Sequence, residues 1–562
     1  MIDIITVTYN SEKWLSGYFN GLLAQKGFDL KKVNLIFLDN NSTDQTVNSL
    51  LDCKSKYERY LHGIVVVPSK INLGFGRGNN EGFKHSRFDH ILFLNADVYL
   101  QTDNLQILES EIAKKDNRVG AWELRQMPYE HPKYYHPVSL ETSWASAAAI
   151  MIRKDIFTAI EGFDPNFFMY CEDVDISWKI RMEDRSIKYL PNCCFYHYTY
   201  PVINEIKETA YLYGILNNLF LRIKFGNKKD VSDWITLFRG VLKNKGPFEN
   251  SRKKLLKVVL KNLHYLIPLY LWKVKNKKKI ALHSPKKFLG FDYEITRGAG
   301  FYYTQLPKIT PLVSVLVRTC NRPDVLRRTL LSLRNQTYRH FEVVIVEDGP
   351  NGAEKMLKTE FYDLNINYHA TKTKLGRCIA GNLAMERSKG KFLCFLDDDD
   401  YFYPDYLETM VSQFERNPDL YMANSLSFLA EIDTKSMSPY IYEVKKTQMQ
   451  NSPIFNLLLL VRDNFYPIQC IMFRRTVFEE LGGFNVEVDY SEDWLLWLTY
   501  TSKYHMYSIL KVCSIFKVPF DEETKRLRQI NFEKHRNIAH TYIRNLQLNI
   551  NLYNLSELQK LS

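Results

Sequence analysis

Two stretches decide how this chain is read: HILFLNAD, residues 90–97, and KFLCFLDDDD, residues 391–400. Each is a short apolar run that stops on acids. An apolar run of this length with polar ends reads as a buried strand. Working outward from both, the same punctuation recurs in the same order. IITVTYN ends at Asn10 and VSVLVRTCN at Asn321. NLIFLDNNSTD carries Asp39, and EVVIVEDGPNG carries Asp348. A Leu-Gly pair then opens a helical stretch, NLGFGRGNN at 72–80 and KLGRCIAGNLA at 374–384. Downstream, IRKDIFTAIEGFDPNFFMYCEDVD and FRRTVFEELGGFNVEVDYSED deliver Glu172-Asp173 and Glu492-Asp493.

Matched landmarks are separated by 302 to 321 residues. Five landmarks in one order at nearly constant spacing predict a duplicated domain. Short β-branched strands alternate with helical periodicity such as LRRTLLSLRNQ, so each copy reads as an α/β sheet of βαβ units. Ligands of such sheets bind beyond the carboxyl ends of the strands. Asn10, Asp39 and Asp97 all fall there in one copy, and Asn321, Asp348 and Asp399 in the other.

Length and composition agree. At roughly 150 residues per domain, 562 residues predict three or four units, or two large ones. Hydrophobic residues at 45% and charged residues at 25% describe a globular protein and exclude disorder, collagen or coiled coil as the main theme. The longest apolar run near a basic segment, Tyr265–Trp272, falls short of the ~20 residues that span a bilayer. The start, IDIITVTYN, lacks signal-peptide character. Nine scattered cysteines without a CxxC point to a reducing cytosol.

The net charge of +12 is unevenly placed: residues 222–287 hold 19 Lys/Arg against 3 Asp/Glu. This stretch lies in a segment, 203–309, that belongs to neither copy. Its SRKKLLKVVLKNLHYLIPLYLWKVKNKKK interleaves leucines and lysines, with Pro268 expected to kink or end a helix. It reads as a basic helical linker that either meets a membrane surface or packs the domains together. Its aromatics lie in an apolar stripe, which suits lipid better than base stacking, so no nucleic-acid partner is expected. A charged helical segment, 521–562, closes the chain.

The acids carry the chemistry. Asp397, Asp398, Asp399 and Asp400 repel one another unless a cation sits among them, and hard divalent ions prefer oxygen ligands. The alternative is a solvated acidic turn. The first copy has Asn95 and Asp97 instead. Glu172-Asp173 and Glu492-Asp493, with Trp494 behind them, open helical stretches. There they serve either as dipole partners or as proton acceptors for an alcohol. The glycines around Gly74 and Gly376 allow close backbone approach. Arg77 suits either phosphate or the surface. His197 is a candidate metal ligand.

Together these residues resemble glycosyltransferase family 2, the inverting nucleotide-sugar transferases of GT-A fold, over about residues 1–202 and 310–520. The first copy is most similar to the bacterial rhamnosyltransferase-type branch, through TVTYN, LDNNSTD, NLGFGRGNN, NAD and GFDPNFFMYCEDVD. The resemblance implies that Asp39 and Asp348 contact the base, and that Asp97, Asp399 and His197 bind Mn2+ or Mg2+. It also implies that Asp173 and Asp493 are catalytic bases. Thr8, Asn10, Asn72, Gly74, Arg77, Asn95 and Glu172 are expected to line the first substrate site. Thr319, Asn321, Gly376, Asp397, Glu492 and Trp494 are expected to line the second. The strand YSILKVCSIFKVP has no counterpart of His197, so the second metal site is expected to be weaker or differently completed.

The expectation is a bifunctional transferase. It would use UDP- or dTDP-sugars and a lipid-linked or oligosaccharide acceptor, at the cytoplasmic face of a bacterial inner membrane. The alternatives are a single active copy with a second binding module, or a metal-dependent nucleotidyltransferase.

Overall fold

The computed structural model describes residues 1–131, 133–198, 207–282, 302–304, 306–450 and 454–546. The chain divides into two compact units. Among described residues, the first holds everything up to 282 and 302–304, and the second everything from 306.

The first unit is built on a mixed sheet. Its strands are β1 (Ile2–Thr8), β2 (Val33–Asp39), β3 (Gly63–Pro68), β4 (His90–Leu94), β5 (Val98–Leu100), β6 (Val119–Met127), β7 (Glu141–Thr142), β8 (Ala149–Arg153) and β9 (Ser186–His197). Their order across the sheet is β3-β2-β1-β4-β8-β6-β9-β5, with β7 beside β9. The first four run parallel, and β8 is antiparallel to both its neighbours.

The second unit uses β10 (Val313–Thr319), β11 (Phe341–Glu347), β12 (Ile366–Ala370), β13 (Phe392–Phe395), β14 (Tyr401–Phe402), β15 (Met422–Met437), β16 (Tyr440–Gln450), β17 (Ile471–Arg474) and β18 (Met506–Pro519). Its order is β12-β11-β10-β13-β17-β15-β18-β14. Every strand of the first path has its counterpart nine labels later. The duplication expected from the repeated landmarks is therefore a duplication of topology. The two sheets differ off this path: β7 lies beside β9 in the first, whereas β16 forms a long hairpin with β15 in the second.

The central strands are apolar on both faces because helices cover both. In the first unit, Ile4, Leu35, Phe37 and Leu92 point to one side and pack on Leu15, Phe19 and Leu50 of the helices Glu12–Leu23 and Thr46–Tyr57. Their neighbours Ile5, Ile36, Ile91 and Phe93 point to the other and pack on Phe157, Phe163, Ile176 and Ile180. This is the period-two alternation of a strand buried twice.

The described part of the basic segment belongs to the first unit. Leu212, Leu216 and Phe220 of helix Glu208–Phe225, with Leu255, Val259 and Leu269, pack on Val174 and Trp178 of helix Glu172–Met182. Lys224, fully buried, fastens this layer by ion pairs to Asp164 at 2.6 Å and Asp175 at 2.5 Å. Pro268 lies in the first turn of helix Leu266–Lys275, just after a 3-10 turn over Leu263–Tyr265. An N–H in the first turn has no partner within its own helix, so Pro268 is tolerated at the start of this helix. Among the described residues no helix is long and apolar enough to cross a membrane.

Candidate functional site

The strand ends of the first unit meet as the landmarks predicted. Asp97 stands between β4 and β5, and β5 runs antiparallel to β9, pairing Val98 with His197. That register brings His197 Nε2 to 3.1 Å from Asp97 Oδ1. The other ring nitrogen, Nδ1, lies 3.1 Å from Gln126 Oε1. Asn95, two residues before Asp97, has a buried Oδ1 with no hydrogen-bond partner.

A buried polar cluster lies beside this pair. His131 packs edge-on against Trp144, with ring centroids 5.5 Å apart. Burial, with the charges of Lys133 and His197 nearby, pushes its pKa down to about 3. The Lys133 ammonium pairs with Glu123 and is also attracted by Asp173. His131 thus feels the charge of His197, and Lys133 that of Asp173. Nothing in the sequence marked His131, Lys133 or Glu123; they come from a loop and a strand that only the folded sheet places here.

Asp173 and Glu172 occupy the first turn of helix Glu172–Met182, which the chain enters through left-handed Tyr170 (φ 68°) and Cys171 (φ 63°). The second unit repeats this: Glu492 and Asp493 open helix Glu492–Thr501 after Ser491 at φ 98°. Strained non-glycine residues of this kind concentrate at functional sites. The two pairs differ in charge. Burial and the neighbouring Asp173 raise the Glu172 pKa well above the carboxylate range. Glu492 instead binds Arg318 at 3.0 Å. The Asp493 carboxyl is raised to about 7 by burial and by Glu492, against the opposing pull of Arg318 and of the Asn464 amide.

The second crevice is a single cavity of about 1090 Å³ whose wall includes Asp348, Asp397, Asp399, Glu492 and Asp493. Its acids are largely partnered within the protein. Arg318 grips Asp397 with two bonds of 2.9 Å. Asp398 is fully buried, accepts from the Thr319 hydroxyl at 2.6 Å and pairs with Arg322. Asp400 accepts from the Lys517 backbone at 2.8 Å. The Arg322 guanidinium also lies 3.5 Å from Asp399.

Position 197 has no imidazole counterpart here. β14 pairs Tyr401 with Ile515 as β5 pairs Tyr99 with Tyr196, so Phe516 stands where His197 does. Next to it, buried Lys517 lies 3.5 Å from the centre of the Tyr401 ring, and burial lowers its pKa to about 8. The sequence marked none of Arg318, Arg322 and Lys517, because nothing local says which side of a strand or loop faces the crevice.

The structure corrects one pairing of landmarks. Thr8 pairs with Asp39, but Thr319 pairs with Glu347. Asn40 N and Asp348 N each donate to the corresponding threonine carbonyl at 2.8 Å. Asp348 therefore matches Asn40, and Glu347 matches Asp39. Each member of the first pair clamps the glycine turn: Asn40 binds the backbone of Leu73 and Gly74, and Asp348 that of Leu375 and Gly376. Each member of the second pair braces its own loop. Asp39 accepts from Thr8, from the Ser42 amide and from the Ser42 hydroxyl. Glu347 accepts from Gly352, Ala353 and Tyr368.

Other expected substrate residues serve the frame. Arg77 donates to Pro165 O at 2.7 Å and contacts Tyr265, tying its helix to a loop. Trp494 is fully buried in the core, with its N–H on Leu460 O, and does not face the cavity. Asn10 and Asn321 share a left-handed backbone, at φ 50° and 52°. Asn10 caps Thr43, and Asn72 caps Gly74.

The model of Glycosyl transferase family 2 matches residues 3–175 and 314–482. The putative glycosyltransferase EpsH of Bacillus subtilis is 35% identical over 118 residues, 20% of this chain and 34% of that protein. The amylovoran biosynthesis glycosyltransferase AmsB of Erwinia amylovora is 35% identical over 107 residues, 18% of this chain and 36% of that protein. The chain thus spans about a third of the length of these two relatives. Among solved structures, S. aureus TarS 1-349 aligns with 51% of this chain and 87% of its own, at 17% identity and a TM-score of 0.34. With the family model covering the core of both duplicated sheets, the chain belongs to glycosyltransferase family 2, and it carries that family's α/β domain twice in tandem.

Proposed function

We propose that both domains, at 1–202 and 310–520, are inverting transferases that extend a bacterial surface polysaccharide. They would take sugars from UDP- or dTDP-linked donors and pass them to a lipid-linked or oligosaccharide acceptor at the cytoplasmic face of the inner membrane. The observation that carries this is the single cavity holding Asp348, Asp399 and Asp493 together, in a fold whose first copy repeats the last two as Asp97 and Asp173. The name of the AmsB relative supports a polysaccharide product. The likeness of the first copy to rhamnosyltransferases supports a deoxyhexose donor there.

The chemistry follows from the residues. The acceptor hydroxyl oxygen bonds to the anomeric carbon as the bond from that carbon to the diphosphate breaks. The hydroxyl proton passes to Asp173 in the first domain and to Asp493 in the second. One displacement inverts the anomeric centre and needs no covalent enzyme intermediate.

A divalent cation, when bound, neutralises the departing diphosphate as a Lewis acid. In the first domain Asp97 and His197 suit that ion. They are an oxygen and a nitrogen donor side by side, and the orphaned Asn95 Oδ1 is near them in sequence. Two protein donors leave positions for phosphate and water. Among the described residues no group of three His, Cys, Asp or Glu side chains forms a ready-made metal site. In the second domain the donor set does not fit: Phe516 replaces the imidazole, and arginines already hold Asp397 and Asp398.

That difference favours one second reading, in which only the first domain transfers and the second binds nucleotide or glycan. Nucleoside-diphosphate release across UDP-, dTDP- and GDP-sugars tests both readings. Two donors, silenced separately by Asp173→Asn and Asp493→Asn, would support two transferases. One donor, silenced by Asp173→Asn alone, would make the second domain a binding module. If neither substitution lowers release of any donor, both readings fall.

A further inference from the structure

The segment Ser251–Lys275 runs as helix Ser251–Asn262, a 3-10 turn and helix Leu266–Lys275. Its apolar residues fall into two sets. Leu255, Val259 and Leu269 are buried against the first unit. The other set is Leu256, Leu260, Leu263, Ile267, Leu271 and Val274, spaced by three or four residues throughout. They are exposed, at 66% for Leu260, 68% for Ile267 and 61% for Leu271. Tyr270, 56% exposed, adds to them.

Three- and four-residue steps place this second set on one face across the whole segment. A helix needs one apolar stripe to pack on its own domain; this segment has a second stripe that the described residues of the first unit leave exposed. Exposed lysines run along it. Lys253, Lys257 and Lys261 recur every fourth residue, Lys275, Lys277 and Lys278 follow, and no acidic residue occurs between 251 and 282.

We propose that this face beds in the surface of an anionic bilayer, with its leucines among the acyl chains and its lysines at the headgroups. The charge decides the occupant. A second copy of this all-basic face would bring lysine against lysine, whereas phospholipid headgroups offer the opposite sign. The helices are too short and too amphipathic to insert across the bilayer, and an in-plane lie is the geometry such helices adopt. Headgroup attraction adds up to about 1 kcal/mol per lysine and is screened by salt. This inference does not depend on which sugars are transferred.

Co-sedimentation of the full chain with phosphatidylcholine vesicles, with and without one-third phosphatidylglycerol, tests it. We expect binding to the anionic vesicles that weakens in salt. We expect at least a tenfold loss in Leu260→Glu/Ile267→Glu/Leu271→Glu. A separate Lys253→Gln/Lys257→Gln/Lys261→Gln variant should lose binding and salt sensitivity together. All six positions are solvent-exposed, and circular dichroism melts of both variants should match the parent. Binding that is absent in the parent, or unchanged in the glutamate variant, would overturn the proposal. So would a dimer, read by light scattering, that the glutamate variant dissociates while vesicle binding stays at background.

Discussion

Asp97 and His197 are one hundred residues apart in the chain, and their side chains meet at 3.1 Å at the carboxyl edge of the first sheet. Gln126, on the neighbouring strand β6, engages the far nitrogen of the same ring. An acceptor at Nδ1 holds the proton there and leaves the Nε2 lone pair for a cation, the arrangement usual for histidine ligands. Gln126→Leu should therefore weaken Mn2+ affinity of the first domain ~10–100-fold. His197→Ala should weaken it at least as much. Isothermal titration with Mn2+ measures both, without any donor sugar.

The second domain makes a prediction about pH. Asp493 has a pKa of about 7, raised by burial and by Glu492. A base must be deprotonated to accept a proton, so turnover at this site should rise with pH through about 7 and level above it. Arg318 lowers that value, since its positive charge favours the carboxylate. Arg318→Met should move the rising limb to higher pH. It also strips a partner from Asp397 and Glu492, and removing one side of a buried ion pair costs about 3–5 kcal/mol. The pH profile of the donor silenced by Asp493→Asn reads the first effect, and urea denaturation reads the second.

Lys224 gives a stability prediction for the first unit alone. It is the shared cation of Asp164 and Asp175, buried between helix Glu208–Phe225 and the sheet domain. Lys224→Met should destabilise that unit by about 3–5 kcal/mol, because two carboxylates are left in a poorly solvated place. Adding Asp164→Asn and Asp175→Asn should recover part of the loss. Thermal melts of the parent and these two variants should shift only the transition belonging to the first unit.

Gly74 and Gly376 occupy matching turns but should respond differently to a methyl group. At Gly74, φ is +80° and a Cβ would stand 2.4 Å from the Phe168 carbonyl oxygen. At Gly376, φ is +100° and the nearest atom is 4.0 Å away. Left-handed strain alone costs roughly 1–2 kcal/mol. Gly376→Ala should lose about that much in urea denaturation. Gly74→Ala should lose clearly more, since the backbone of the Phe168 loop must also move.

Much was decided by sequence alone. The apolar runs ending at Thr8, Leu94, Thr319 and Leu396 declare buried strands, because only a strand covered on both faces tolerates such a run. Their repetition in order declares the duplication. The placement of acids just past those strands declares two crevices, since parallel strands put their carboxyl ends on one edge. The family follows from that ordered set.

What tertiary structure decided lies where a partner from elsewhere in the chain sets the outcome. Letters alone align Asp39 with Asp348. Strand register aligns Asp39 with Glu347, because hydrogen-bond pairing with Thr8 and Thr319, and not residue type, fixes position along a sheet. Arg318 reads as an ordinary strand residue until the pleat turns it toward Asp397 and Glu492. The basic segment reads equally as a linker or a surface helix. Its second apolar stripe emerges only once the first unit has covered Leu255, Val259 and Leu269, because burial belongs to the packed whole and no single helix determines which of its faces the rest of the chain will leave to solvent.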